Sequence, residues 1–390
     1  YQPRPYNVSI DPSLIELARQ KASIFRPTVD TSATAWFDGP PAADIESIAT
    51  YWAEEYDWRA IQNSINTNFS HFYTTVPPPS EAYNESVSLH FIHQRSARLD
   101  ATPILLLHGW PSTALEWASM IPRLVSPDNS SEPGFHIVAP DIPGFGFSPA
   151  LNSSRVGVGR TEYATMFAAL MRQLGYKKYA VYSTDMGTTI ALGLVVNHAE
   201  SIMQHITDFY MTFPSPSDQA RYASYQTSEE ENQYIGSFSS FLDTHSGYSA
   251  IQSTYPSSLA YAMNDSPVGF LAWVYHLSST MNDRSYEKAE IITNTLLLWH
   301  QGVYSNIRCY KELFSSSMFL PDKNFTVPTS VLQFGGLKLY PELGRLNYVP
   351  LEWVKRTANV TYFARESEGG HFPAVTVPDL VVKHIRASFA

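Results

Sequence analysis

The chain has 390 residues, room for two or three domains or for one large domain carrying insertions. Its 44% hydrophobic and 14% aromatic content, with only 16% charged residues, supports a sizeable core and excludes a disordered or fibrous chain. A net charge of −10 argues against binding nucleic acid by phosphate neutralisation, and the single cysteine, Cys309, excludes an intrachain disulfide and a cysteine-rich zinc site.

The chain opens on Tyr1 with no charged-then-apolar leader, which reads as a processed or trimmed product whose leader or anchor lies outside this sequence. No apolar run approaches the ~20 residues of a membrane-spanning helix. Ser13 to Ala22 has helical spacing, and Asp44 to Trp58 is a second amphipathic stretch carrying Tyr51, Trp52, Tyr56 and Trp58. Pro77-Pro78-Pro79 reads as a turn before the strand Val87–His93. His90 and His93 on that strand point to opposite faces, which argues against a metal pair.

Pro103 to His108, His136 to Pro140 and Tyr179 to Tyr182 are short continuous apolar runs, the pattern of strands buried on both faces of a parallel sheet. Thr161–Leu174, closed by Gly175, and Thr188–His198 are the helices between and after them. Strand, helix, strand, helix predicts an α/β doubly wound sheet. From 213 to 322 the chain turns aromatic, Ser-rich and helical, which reads as a cap inserted into the core. Thr329–Phe334 and Val360–Phe363 resume the strand pattern, and a last helix is expected near 377–389. The expected organisation is an extension over 1–98, core over 99–212, cap over 213–322 and core again over 323–390. There is no internal repeat and no low-complexity segment.

Three segments carry chemistry. In Tyr182-Ser183-Thr184-Asp185-Met186-Gly187-Thr188 a strand ends, small residues flank a central Asp, and a helix follows at once. This is the layout of a nucleophile elbow, with Asp185 where a serine often stands. A carboxylate there can attack carbon and form an ester, although an Asp at a helix start can also be a plain N-cap. His371 follows a strand inside Glu368-Gly369-Gly370-His371-Phe372, where paired glycines let the backbone bring an imidazole into a crowded site. Asp185 before His371 respects the chain order nucleophile, acid, histidine. His108-Gly109-Trp110-Pro111 ends the first buried strand, and the amides of Trp110 and Met186 are candidates for an oxyanion hole.

With these segments in view, the chain resembles an epoxide hydrolase of the microsomal type, within the α/β-hydrolase superfamily, over nearly its whole length. The extension matches at Tyr51-Trp52, Asp57-Trp58-Arg59 and Leu89-His90-Phe91-Ile92-His93. The core matches at 108–111, Pro143-Gly-Phe-Gly-Phe-Ser148 and Gly369-Gly-His-Phe372, and the cap at Gly247-Tyr-Ser-Ala-Ile-Gln-Ser253 and Asn264-Asp-Ser-Pro-Val-Gly269. The resemblance implies an α/β-hydrolase fold with a helical cap and a wrapping N-terminal extension. It implies Asp185 as nucleophile, His371 as base, and Tyr248 and Tyr310 as donors to the epoxide oxygen. It places the acid shortly after the strand ending near Phe334, where Glu342 in Tyr340-Pro341-Glu342-Leu343 is the candidate, although its spacing differs from the family's. Asp208, near the end of the strand after the nucleophile helix, is the rival. Met186 stands where the family usually has Trp.

The implied activity is hydrolysis of a small apolar epoxide to a vicinal diol, with no metal or organic cofactor. The alternatives are a biosynthetic relative that closes a cyclic ether, a haloalkane dehalogenase, which Met186 disfavours by removing an indole donor, and a catalytically inactive binding protein of the same fold. The sequence is compatible with a homodimer.

Asn-X-Ser/Thr occurs eight times, at Asn7, Asn68, Asn84, Asn129, Asn152, Asn264, Asn324 and Asn359, against roughly three expected from composition. All but Asn264 are taken as glycosylation candidates, and the excess suggests the secretory pathway, as a secreted protein or in the lumen of the endoplasmic reticulum.

Overall fold

The structure is a computed structural model, and it describes residues 2–29, 34–129, 131–152, 158–314 and 325–390. Asn324 and the expected cap boundary at 322/323 lie outside the described residues.

The N-terminal block holds β1 (Arg4–Pro5), α1 (Pro12–Ser23), α2 (Ala42–Glu54), α3 (Trp58–Asn68), β2 (His71–Val76) and β3 (Val87–Gln94). The core continues with β4 (Thr102–Leu107), α4 (Ile121–Val125), β5 (Phe135–Pro140), α5 (Arg160–Gln173), β6 (Tyr179–Ser183), α6 (Asp185–Asn197) and β7 (Ile202–Thr207). The cap helices are α7 (Pro216–Ala223), α8 (Glu229–Ser240), α9 (Gly247–Thr254), α10 (Pro256–Asp265), α11 (Pro267–Thr280), α12 (Lys288–Trp299) and α13 (Tyr304–Leu313). The core closes with β8 (Pro328–Phe334), α14 (Leu351–Val354), β9 (Asn359–Glu366), α15 (Pro373–Thr376) and α16 (Pro378–Ala387).

One sheet orders the strands β1-β2-β3-β5-β4-β6-β7-β8-β9. The strands from β5 to β9 in that order are parallel, and β1, β2 and β3 add an antiparallel edge that joins through β3 and β5. Both faces of the parallel part are covered. Leu105 and Leu107 of β4 join a core with Phe167, Leu170, Ile190 and Leu194 of α5 and α6. Ile104 and Leu106, one residue out of phase, join a second core with Trp117, Leu124, Val381 and Ile385. This two-sided burial is why these strands are apolar at every position rather than at alternate ones.

The structure corrects the expected extension in two respects. It does not only wrap the core but contributes three strands to the same sheet, of which β1 and β2 were not anticipated. The stretch 44–58 is also not one element. α2 ends at Glu54, and Asp57 caps a separate helix, α3, by accepting from the Ala60 amide at 3.1 Å. Ile45, Ile48 and Trp52 of α2 are buried in the same core as Val274 of α11 and Ile292 and Leu296 of α12, so extension and cap share one interior.

A buried polar chain fastens this edge to the catalytic end of the sheet. His71 Nδ1 lies 2.9 Å from His90 Nε2, and His90 Nδ1 lies 2.7 Å from Asp141 Oδ2. Asp141 in turn accepts from the Ala114 and Phe147 amides at 2.8 and 2.9 Å, fixing the loops after β4 and β5. His93 points the other way, to the Tyr176 hydroxyl at 3.0 Å, as the odd spacing required. Among the described residues no group of three or more His, Cys, Asp or Glu could hold a metal ion, and no helix is long and apolar enough to cross a membrane.

Candidate active site

The site forms at the carboxyl ends of the parallel strands, where successive loops converge. β6 ends at Ser183, and Asp185 stands at the first residue of α6 with φ 44°, a conformation few non-glycine residues adopt. Asp185 is therefore not the helix N-cap, a place taken by Thr184. The turn leaves no space beside it. A Cβ on Gly187 would lie 2.1 Å from the Leu107 carbonyl oxygen, and one on Gly109 would lie 2.3 Å from the Asp185 side chain.

Asp185 is 5% exposed. Its Oδ1 accepts from the Trp110 amide at 2.9 Å, and its Oδ2 lies 3.2 Å from His371 Nε2. The Met186 amide follows in the first turn of α6, where helix geometry supplies no acceptor within the helix. The Trp110 and Met186 amides thus lie on either side of the turn that carries Asp185.

His371 is held by its backbone. Gly369 and Gly370 have φ of 114° and 68°, so the loop after β9 turns as only glycine readily allows. The His371 amide donates to the Met281 carbonyl at 2.7 Å, the Phe372 amide to Asn282 Oδ1 at 2.9 Å, and the Gly369 amide to Asp283 Oδ2 at 2.8 Å. The segment after α11 therefore anchors the His371 loop. Nothing in the sequence pattern distinguished it, because Asn282 and Asp283 look like ordinary polar residues ending a helix. The His371 ring packs edge-on against Phe209, with centroids 5.1 Å apart.

Tyr248, on α9, and Tyr310, on α13, reach the site from the cap. The Trp110 ring stacks against Tyr248 at 6.1 Å and meets Tyr310 edge-on at 5.5 Å, while the two tyrosines meet edge-on at 5.8 Å. Asn306 Oδ1 fixes the orientation of Trp110 by accepting from its indole at 3.1 Å, a role the sequence gave no means of seeing. Burial raises the pKa of both phenols, and so does the Asp185 charge, so both hydroxyls stay protonated at neutral pH.

Asp185, His371, Tyr248 and Tyr310 all line one cavity of about 250 Å³. Its remaining wall is largely apolar, with Phe209, Phe213, Phe238, Phe241, Met281 and Phe314. Glu342 does not join this group. Its carboxylate lies 2.8 Å from His245 Nε2 of the cap, its side chain is 45% exposed, and no described hydrogen bond links it to His371. Asp208 instead directly follows β7 beside the elbow and is 9% exposed. Six of the glycosylation candidates, Asn7, Asn68, Asn84, Asn129, Asn152 and Asn359, are exposed.

An open parallel sheet with a nucleophile elbow, an oxyanion loop and a histidine after the last strand defines an α/β-hydrolase, and the α/β hydrolase fold family model matches residues 102–296. The chain belongs to this family. Residues 3–117 match the epoxide hydrolase N terminus model. The chain is similar to epoxide hydrolase 1 of Sus scrofa, 29% identical with 98% of this chain and 87% of the relative covered. It is similar to juvenile hormone epoxide hydrolase of Bombyx mori, 28% identical over 98% of this chain and 85% of the relative. The crystal structure of the silkworm juvenile hormone epoxide hydrolase superposes with a TM-score of 0.86 and 26% identity, covering 100% of this chain and 94% of that one. The fold is shared as well with Aspergillus niger epoxide hydrolase, at a TM-score of 0.85 and 24% identity over 100% and 96% of the two chains. Homologues and structural neighbours are thus epoxide hydrolases of the α/β-hydrolase superfamily.

Proposed function

We propose that this protein opens a small apolar epoxide through an aspartyl-ester intermediate and releases a vicinal diol. The observation that carries the reading is the pairing of a carboxylate nucleophile with two opposed phenol donors in one apolar cavity. In the first step an Asp185 oxygen attacks an epoxide carbon, the C–O bond of the ring breaks, and the leaving alkoxide takes a proton from Tyr248 or Tyr310. In the second step His371 removes a proton from water, whose oxygen adds to the Asp185 carboxyl carbon. The Trp110 and Met186 amides hold the oxyanion until it collapses; the ester C–O bond then breaks, the departing alkoxide takes the proton from His371, and the proton left on the Asp185 carboxyl returns to the phenolate. No step calls for a metal or organic cofactor.

Asp185→Asn is expected to abolish sustained turnover with the fold intact, and full activity in that variant would refute the scheme. In heavy-oxygen water a single turnover should label Asp185 first; label appearing directly in the diol would exclude the ester. Product mass separates hydrolysis, which adds one water, from cyclisation, which adds none. The exposed sequons support passage through the secretory pathway, and mass loss on enzymatic deglycosylation of protein from a eukaryotic host tests it.

A further inference from the structure

We infer that Asp208, and not Glu342, is the carboxylate that positions His371 and balances its charge while the ester is hydrolysed, an assignment that rests on the function proposed above.

The loop after β8, where the resemblance places the acid, carries none at the nearest positions. It runs Gly335-Gly336-Leu337-Lys338-Leu339-Tyr340, and Leu337 is buried in an apolar cluster with Leu343, Val349 and Trp353. Glu342, the first carboxylate beyond it, is turned outward to His245. A carboxylate so exposed and already paired contributes little to a buried imidazole.

No described hydrogen bond joins Asp208 to His371 either, but Asp208 is buried beside the elbow whereas Glu342 is exposed. Asp208 directly follows the strand next to the nucleophile strand, and its amide donates to the Ser183 carbonyl at 3.4 Å, which sets it level with the elbow. Its neighbour in sequence, Phe209, forms the wall against which the His371 ring packs. One carboxylate oxygen, Oδ2, accepts from the Tyr182 hydroxyl at 2.5 Å, while Oδ1 is buried without a hydrogen bond of normal geometry, with the Thr184 hydroxyl as its neighbour. A buried acceptor without such a bond is costly, and such groups concentrate where function needs them. Burial raises the Asp208 pKa, and the Tyr182 and Thr184 hydroxyls, followed by the His371 charge, pull it back down.

Glu116 completes the arrangement. It is 6% exposed, and both its carboxylate oxygens are buried without a hydrogen bond of normal geometry, with the Ser112 hydroxyl as their neighbour. Burial first, and the nearby Asp208 and Asp185 charges next, push its pKa well above the carboxylate range. Glu116 is therefore the carboxyl that stays protonated, which leaves Asp208 free to ionise. The titratable groups facing Asp208 are then Tyr182 on β6, Glu116 after β4 and His371 after β9. With the net raised pKa of about 6, Asp208 is charged at neutral pH and protonated in mild acid.

The test separates the two chemical steps. D208N and E342Q, each checked by near-UV circular dichroism, are mixed with styrene oxide and quenched, and intact-protein mass gives the amount of ester at each time. D208N should form ester within about threefold of the wild-type rate and hydrolyse it at least ~100-fold more slowly, so that the adduct accumulates. A merely structural role would slow both steps together. In the wild type, ester hydrolysis should fall as pH drops through about 6, and E342Q should keep that limb and store no ester. Ester accumulating in E342Q, or D208N hydrolysing like the wild type, overturns the assignment. The E342Q arm decides the matter even where D208N fails to fold. Absence of any adduct on Asp185 in all three proteins is a separate outcome, which removes the proposed function and this assignment with it.

Discussion

Gly187→Ala probes the elbow without touching any reacting atom. The added Cβ would lie 2.1 Å from the Leu107 carbonyl oxygen, 2.5 Å from its carbon and 2.7 Å from the His108 oxygen. All three belong to backbone at the end of β4, which sits between β5 and β6 and has nowhere to retreat. The start of α6 must therefore back away by about 1 Å to reach ordinary van der Waals contact. Overpacking of this kind costs ~1–3 kcal/mol. The same shift stretches the Trp110 amide bond to Asp185, a hydrogen bond to a charged group worth another ~1.5–3 kcal/mol. The expected loss is about 3–5 kcal/mol, or a fall in Tm on the order of 4–6 °C for a chain of this length. Turnover should drop about 100-fold in whatever remains folded, because displacement by 1 Å spoils alignment of nucleophile and base. Gly236→Ala is the control. It lies inside α8 with no atom within 4 Å of the new Cβ, so relief of the glycine's helix cost should stabilise by about 0.5–1 kcal/mol. Differential scanning calorimetry with a styrene oxide assay reads both. G187A melting within about 1 °C of wild type with full activity would refute the argument that the elbow is sterically closed.

The remaining predictions concern the cap. Tyr248→Phe and Tyr310→Phe should each slow ester formation by roughly 10²-fold, and the double variant by more, with ester hydrolysis little changed; single-turnover quench-flow distinguishes the steps. Asp218 at the start of α7 is 1% exposed, and it accepts from Arg356 at 2.6 and 2.8 Å and from Arg221 at 3.2 Å. Burial works against its charge, but these guanidinium groups and Ser215 outweigh it and hold the carboxyl near a pKa of about 2. A depressed folded-state pKa means that this contribution is present above the unfolded value near 4 and lost as pH falls towards 2. Because Arg356 is 39% exposed, the contribution is discounted for screening to about 1–2 kcal/mol. Urea unfolding at pH 6 and pH 3 should show Asp218→Asn weaker at pH 6 and the gap narrowing at pH 3.

Much of this molecule could be read along the chain. β4, β5 and β6 announce themselves because strands covered on both faces must be apolar throughout, and α5 ends where Gly175 takes φ 84°. Asp185, Gly187 and the Gly369-Gly370 pair could be placed because a tight turn admits few residue types, and that constraint is local. The break between α2 and α3 was overlooked because aromatic residues continue across it, and the cap signal of Asp57 is a single side chain. β1 cannot be read along the chain for a different reason. A short edge strand is defined by its partner, and Arg4–Pro5 carries no pattern of its own.

What the sequence determined by itself was the backbone layout of the site: which residue stands at the elbow, which loops must be glycine-rich, and in what order they come. These follow from conformational limits acting over a few residues. The tertiary structure decided the partners. It took Glu342 to His245 and left Asp208 beside the elbow, set Asn306 on the Trp110 indole, and hung the His371 loop on Met281 and Asn282. Each of those contacts joins residues far apart in the chain, and a carboxylate reads the same in sequence whether it faces water or an imidazole. Only the fold fixes its burial and neighbours, and those decide its charge and its role.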